Sequence, residues 1–242
     1  MFRLRAGLTI AAAGLVLAAI GATAATAAHA PSAVATTTVV PTTVAGAATT
    51  TTLPPLPVPA DAPADNDVEQ QTLHGRIQIP AIGVDSPLLE GIRISTLDYG
   101  PGHWPGTALP GQLGNVVVAG HRTSHNADFR RLDELKPGDQ VIFDLDATEG
   151  FERADGVAVT APTPDTETGR FVYIVHSVEI VQPDAMWVVT QDYRHSATLF
   201  ACHPPGSVDQ RIVVFLDLVD PTTLALVDPP RPSTTTTVSP AG

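Results

Sequence analysis

One thiol, one imidazole and one guanidinium in this chain stand where strands should end. Together they are the parts of a nucleophilic acyl-transfer site. Cys202 is the only cysteine among 242 residues and closes the segment Thr198-Leu199-Phe200-Ala201-Cys202, ahead of His203-Pro204-Pro205. His121 ends the apolar run that begins at Asn115, and Arg211 opens the run Ile212-Val213-Val214-Phe215-Leu216. A lone thiol cannot close an intramolecular disulfide, so cross-linking gives no reason to keep it. A free cysteine can be a small buried hydrophobe. Here the following prolines, which lack backbone donors, end the strand and put the thiol at its mouth.

The other polar groups are sorted by the same weighing. An arginine at a strand end can hold an oxyanion with five fixed donors and a permanent charge, or can simply meet solvent or Asp209. Arg122, Arg130 and Arg131 sit among polar neighbours and read as a solvated face. His103 and His125 are candidate pocket residues. His74, His103, His125, His176, His195 and His203 lack the Cys or carboxylate spacing of a metal site, so no metal and no cofactor are expected.

The elements that must position these groups read mainly as β. Gly75–Ile79, Val116–Ala119, Val141–Leu145, Val157–Val159, Phe171–Ile180, Ala197–Ala201 and Ile212–Leu218 are strand-like runs separated by Gly, Pro and Asp clusters. Short β-rich runs at that spacing predict a sandwich or barrel. Short helices are expected around Glu90–Leu97 and Ala127–Leu135. One compact domain is read over 68–220, about 150 residues, enough for a single core.

Both flanks have a different character. Arg3 and Arg5 precede an uncharged apolar stretch from Ala6 to Ala28, which reads as a membrane anchor or a signal segment over 1–30. Residues 31–67, rich in Thr, Pro and Ala, read as a disordered stalk, and 221–242 as a disordered tail. The formal net charge of −12 argues against nucleic acid, whose phosphates need clustered Lys and Arg.

The order His121, Cys202, Arg211, with Ala-Gly-His-Arg and Thr-Leu-x-x-Cys, resembles the sortase family of cysteine transpeptidases. The run Gly100-Pro101-Gly102-His103-Trp104-Pro105-Gly106-Thr107-Ala108, leading into Gly114-Asn115-Val116, is similar to the class E sortases of actinobacteria. So are Phe129-x-x-Leu132-x-x-Leu135-x-x-Gly138-Asp139 and Cys202-His203-Pro204-x-x-Ser207-x-x-x-Arg211. This resemblance covers about Gly75 to Leu218. It implies a closed eight-stranded β-barrel, preceded by a retained N-terminal anchor that leaves the catalytic domain outside the cytoplasm. The implied substrate is a surface protein with a Leu-Ala/Pro-x-Thr-Gly sorting motif, cut after Thr through a thioester and joined to a peptidoglycan amine. Cys202 is the implied nucleophile, His121 the acid and base, and Arg211 the oxyanion holder. Trp104, His103, Ala201 and His203 are the expected substrate contacts. Two departures stand out: Ala201 precedes the cysteine where many sortases have Thr, and Trp104 stands where class E members often have Tyr. The competing readings are a sortase-like hydrolase and a wall-associated binding module in which Cys202 is only packed.

Overall fold

The computed structural model describes residues 53–64, 67, 71–147, 149–152, 158–159 and 168–228. Its strands are β1 (Leu73–Ile79), β2 (Val84–Glu90), β3 (Gly102–His103), β4 (Gly114–Ala119) and β5 (Gln140–Asp144). They are followed by β6 (Phe151–Glu152), β7 (Ala158–Val159), β8 (Arg170–Val181), β9 (His195–His203) and β10 (Gln210–Val219). Eight of them close a barrel in the order β1-β2-β3-β4-β9-β10-β8-β5, and β6 and β7 pair separately. Closure removes the exposed sheet edge that an open sheet of this size would present.

Only β1 alternates visibly in the sequence, but the strand period of two sets inside from outside in the others as well. Ile77 and Ile79 on β1, Val116 and Val118 on β4, and Val141 and Phe143 on β5 point into the core. Ala197, Leu199 and Ala201 on β9 join them, as do Ile212, Val214 and Leu216 on β10. The core is thus filled by alternate residues, and the intervening ones face outward. Tyr173 is fully buried, and burial pushes its phenol up in pKa. Its oxygen accepts the Gly111 N–H at 3.0 Å.

Two barrel strands escaped the sequence reading, as did the two-residue β6. β2 carries Pro87, which argues against a strand interior. The structure accommodates it because β2 pairs with β3 only at Leu89 and Glu90, so Pro87 needs no donor on that side. β3 is two residues long and exists because Gly102 lets the chain pass against Gly91, where an added Cβ would lie 1.9 Å from the Gly91 carbonyl oxygen. The two expected helices shrink to α1 (Ile94–Leu97) and a 3-10 turn at Leu132–Glu134.

The folded unit also reaches past 68–220. Within the stretch expected to be stalk, residues 53–64 lie against the barrel. The Ala60 N–H donates to Pro105 O at 2.8 Å, and Trp104 Nε1 donates to Ala60 O at 2.8 Å. At the other end Val219 bridges Leu226, and the Asp228 carboxylate accepts the His195 backbone N–H. The expected anchor at 1–30 lies outside the described residues.

Candidate active site

Strand register brings the three expected residues to one place. β4 runs parallel to β9 with Ala119 level with Phe200, and the Gly120 N–H donates to Phe200 O at 3.1 Å. Continued two residues past the end of β4, that register sets His121 level with Cys202. β10 runs antiparallel to β9 with Arg211 directly opposite Cys202. All three share outward parity, continuing Val117–Ala119, Thr198–Phe200 and Val213 respectively. Gly120 is fixed by packing: a Cβ there would lie 2.5 Å from the Phe129 ring, which supports the strand end beneath His121.

Outside these strand ends lies a cavity of about 490 Å³. His121, Cys202 and Arg211 line it together with an apolar floor of Ile92, Leu97, Trp104, Val188, Phe200 and Val213. Ala62 and Pro63 of the N-terminal segment supply part of its wall. The shape and chemistry suit an extended peptide with an apolar anchor and its scissile bond at the polar end. Arg211 Nη1 donates to Val208 O and Gln210 O, both at 2.8 Å, so the guanidinium is braced by its own loop. Its remaining donors are left for an incoming oxygen.

The opposite parity explains a correction. Arg122, read from its polar neighbours as solvated, is only 2% exposed. It follows His121, so alternation turns it inward, where Nε donates to Arg130 O at 3.0 Å and Nη2 pairs with Asp133 at 2.8 Å. Nη1 lies 3.0 Å from His203 Nδ1. His203 follows Cys202 and turns inward for the same reason. The pair Arg122–His203 therefore lies beneath the pair His121–Cys202 and ties the two strand ends together. Arg122 was misread because local polarity says nothing about side-chain direction.

The expected substrate contacts divide. Trp104 and Ala201 line the cavity, Ala201 from within the core. His203 serves Arg122 instead. His103, 2% exposed, lies under the wall: Nδ1 is 2.7 Å from Glu90 Oε2, and Nε2 is 3.0 Å from Ala108 O and 2.9 Å from Thr107 Oγ1. Thr107 Oγ1 itself donates to Trp104 O at 2.7 Å, so every partner of the ring is an acceptor and His103 donates from both nitrogens. His74 Nε2 meets the same Glu90 oxygen at 2.7 Å. Burial opposes ionisation of Glu90, but the hydrogen bonds and charges of His103 and His74 outweigh it and draw the carboxyl down to about 2. This network holds the β3 turn from which Trp104 faces the cavity.

Asp98 has no signal in the sequence at all. It follows α1, and its Oδ1 lies 2.9 Å from His121 Nε2 and 3.0 Å from His125 Nδ1. The two imidazoles stack at 5.4 Å with an interplanar angle of 22°. Asp98 holds the ring of His121 at Nε2, so Nδ1 is the nitrogen left for another partner.

Against known proteins, the sortase domain family model matches residues 77–219. The chain is 27% identical over 145 residues to "Sortase D" of Bacillus subtilis, covering 58% of this chain and 61% of that protein. It is 28% identical over 152 residues to "Sortase SrtE1" of Streptomyces coelicolor, covering 60% of this chain and 40% of that one. The match thus spans less than two thirds of either relative. Among solved structures, sortase A from Corynebacterium diphtheriae superposes with a TM-score of 0.51 at 25% identity, covering 62% of each chain.

Proposed function

The chain belongs to the sortase family, and from that premise we propose that it is a cysteine transpeptidase of cell-surface proteins. The observation that carries this reading is the convergence of His121, Cys202 and Arg211, at the ends of three neighbouring strands, on one peptide-sized cavity. The Cys202 thiolate attacks the Thr carbonyl of a Leu-Ala/Pro-x-Thr-Gly sorting motif. Arg211 donates to the oxyanion as it forms. The C–N bond breaks with the proton of His121 passing to the leaving Gly amine, and a thioester remains on Sγ. An amine of a peptidoglycan precursor then attacks that thioester. Its proton passes to His121, a new amide forms and the thiolate is released.

The apolar floor, with Trp104 at one side, supports recognition of the small or cyclic residue at the second motif position. Likeness to "Sortase SrtE1" supports class E, while likeness to "Sortase D" is of the same order. The apolar stretch behind Arg3 and Arg5 supports a membrane anchor with the barrel outside the cytoplasm. Among the described residues no helix is long and apolar enough to cross a membrane, and residues 1–30 lie outside them.

The test is mass spectrometry of the purified full chain with Leu-Ala-x-Thr-Gly and Leu-Pro-x-Thr-Gly peptides and an oligoglycine amine. Joining after Thr is expected, lost at least about 10³-fold in Cys202→Ala and His121→Ala, with a smaller loss in Arg211→Ala. Cleavage without joining for every amine offered would make the protein a hydrolase. Undiminished joining by Cys202→Ala would overturn the nucleophile.

A further inference from the structure

The array around Asp98 holds more than an orienting carboxylate. We propose that Asp98, His121 and His125 form a binding site for a borderline transition-metal cation such as Zn²⁺, and that its occupancy withdraws His121 from catalysis. Oδ1 of Asp98, Nε2 of His121 and Nδ1 of His125 all lie within 4.8 Å of one another. The carboxylate oxygen is 2.9 and 3.0 Å from the two nitrogens. Donors about 2.0–2.1 Å from a tetrahedral zinc stand about 3.3 Å apart, so the ion is admitted when the two carboxylate contacts open by a few tenths of an ångström and the two nitrogens, within 4.8 Å of each other, take up that spacing. Two imidazoles and one carboxylate favour zinc, nickel or copper over calcium or magnesium, which take oxygen ligands.

Access decides between this cluster and the other one of the same composition. The His125 side chain is 50% exposed and that of Asp98 25%, so an ion reaches the three donors from solvent. Around Glu90, by contrast, the His103 side chain is 3% exposed and its second nitrogen is engaged by Ala108 O and Thr107 Oγ1. Both imidazoles of that cluster are closed to solvent, the His74 side chain being only 10% exposed, although Glu90 itself is 34% exposed. The contact at Asp98 is built by the fold: the aspartate comes from the end of α1, His121 from the end of β4, and His125 from the loop beyond. His125 adopts φ 50°, a left-handed conformation that brings its ring over His121.

Binding is measured on the full chain carrying Cys202→Ala, with Zn²⁺ in competition against a fluorescent zinc chelator. This variant cannot react, so the site is tested independently of the transpeptidase reading. One ion per chain is expected, with affinity falling tenfold or more in the added variants Asp98→Asn and His125→Asn. Asparagine is chosen at 125 because it tolerates the left-handed backbone. Unchanged thermal melts of the apo variants exclude misfolding as the cause, and Co²⁺ bound at the site should show no thiolate charge-transfer band in the wild type. Equal affinity in His125→Asn, loss of binding in the Cys202→Ala background, or loss in His74→Gln instead would each overturn the proposal. The inhibitory consequence rests on the transpeptidase reading. There, Zn²⁺ should suppress joining by the wild type, and His125→Asn should need at least tenfold more of it.

Discussion

Two regions of this molecule contain the same three groups, a carboxylate oxygen met by two imidazoles, and use them in different ways. Around Glu90 both contacts are 2.7 Å, His74 and His103 meet edge to face at 79°, and the ring of His103 is sealed in the wall. Around Asp98 the contacts are 2.9 and 3.0 Å, the rings stack at 22°, and one of them is half exposed. Burial of its two rings makes the first a fixed clamp: Glu90 is 34% exposed, but an alternative partner for His103 or His74 would have to be water that is not there. Exposure makes the second accessible: His125 is half exposed, so a partner arriving from solvent can compete for the contacts of Asp98. The same chemistry is a structural clamp in one setting and a working group in the other.

That contrast breaks most directly at its two carboxylates. Glu90→Ala leaves the buried His103 Nδ1 without its partner and should cost about 1–3 kcal/mol in denaturant unfolding. Asp98→Ala, at the open cluster, should cost under about 1 kcal/mol. Equal losses would erase the distinction. The pH dependence sharpens it. The Glu90 carboxyl lies at about 2 in the folded chain against an ordinary 4.5, so its contribution to stability is complete above about 4.5 and is lost as pH falls towards about 2. A Glu90→Gln chain should show a flatter acid limb in thermal melts across that window.

Activity should rank the clusters the other way. Asp98→Asn should lower kcat/KM for peptide joining by about 10- to 100-fold while KM changes little, since the loss lies in the orientation of His121. Arg122→Lys keeps the charge but cannot serve Arg130, Asp133 and His203 with one planar fork. About 1–2 kcal/mol of stability should go with it, along with a drop in the alkylation rate of Cys202. The smallest effect is expected from Thr107→Val, which removes one acceptor of His103 and one donor to Trp104 for about 1 kcal/mol in thermal unfolding.

Much of the barrel was legible because its strands are short β-branched runs between turn residues. Val116 to Ala119, Ala197 to Ala201 and Ile212 to Leu216 announce a strand, and the structure decides which face each residue joins. β2 was not, because Pro87 reads as a breaker until one sees that it lacks a partner on one side. The packing of residues 53–64 was hidden too. A Pro-rich run has no internal hydrogen bonds to betray it, and its contact with Trp104 and Pro105 depends on a distant surface.

What the sequence determined by itself is a candidate nucleophile, its two candidate partners and a mainly β domain to carry them. Each of these is written in local pattern: a lone cysteine before prolines, a histidine and an arginine at the ends of apolar runs, and short β-rich runs between turn residues. What only the tertiary structure decided is the company those residues keep. Asp98 beneath His121, Arg122 beneath Cys202 and Glu90 between His74 and His103 are each separated from a partner by more than ten residues. Sequence spacing carries no information about such pairs, because strand register, parity and barrel closure choose which distant side chains meet and which of them water can reach.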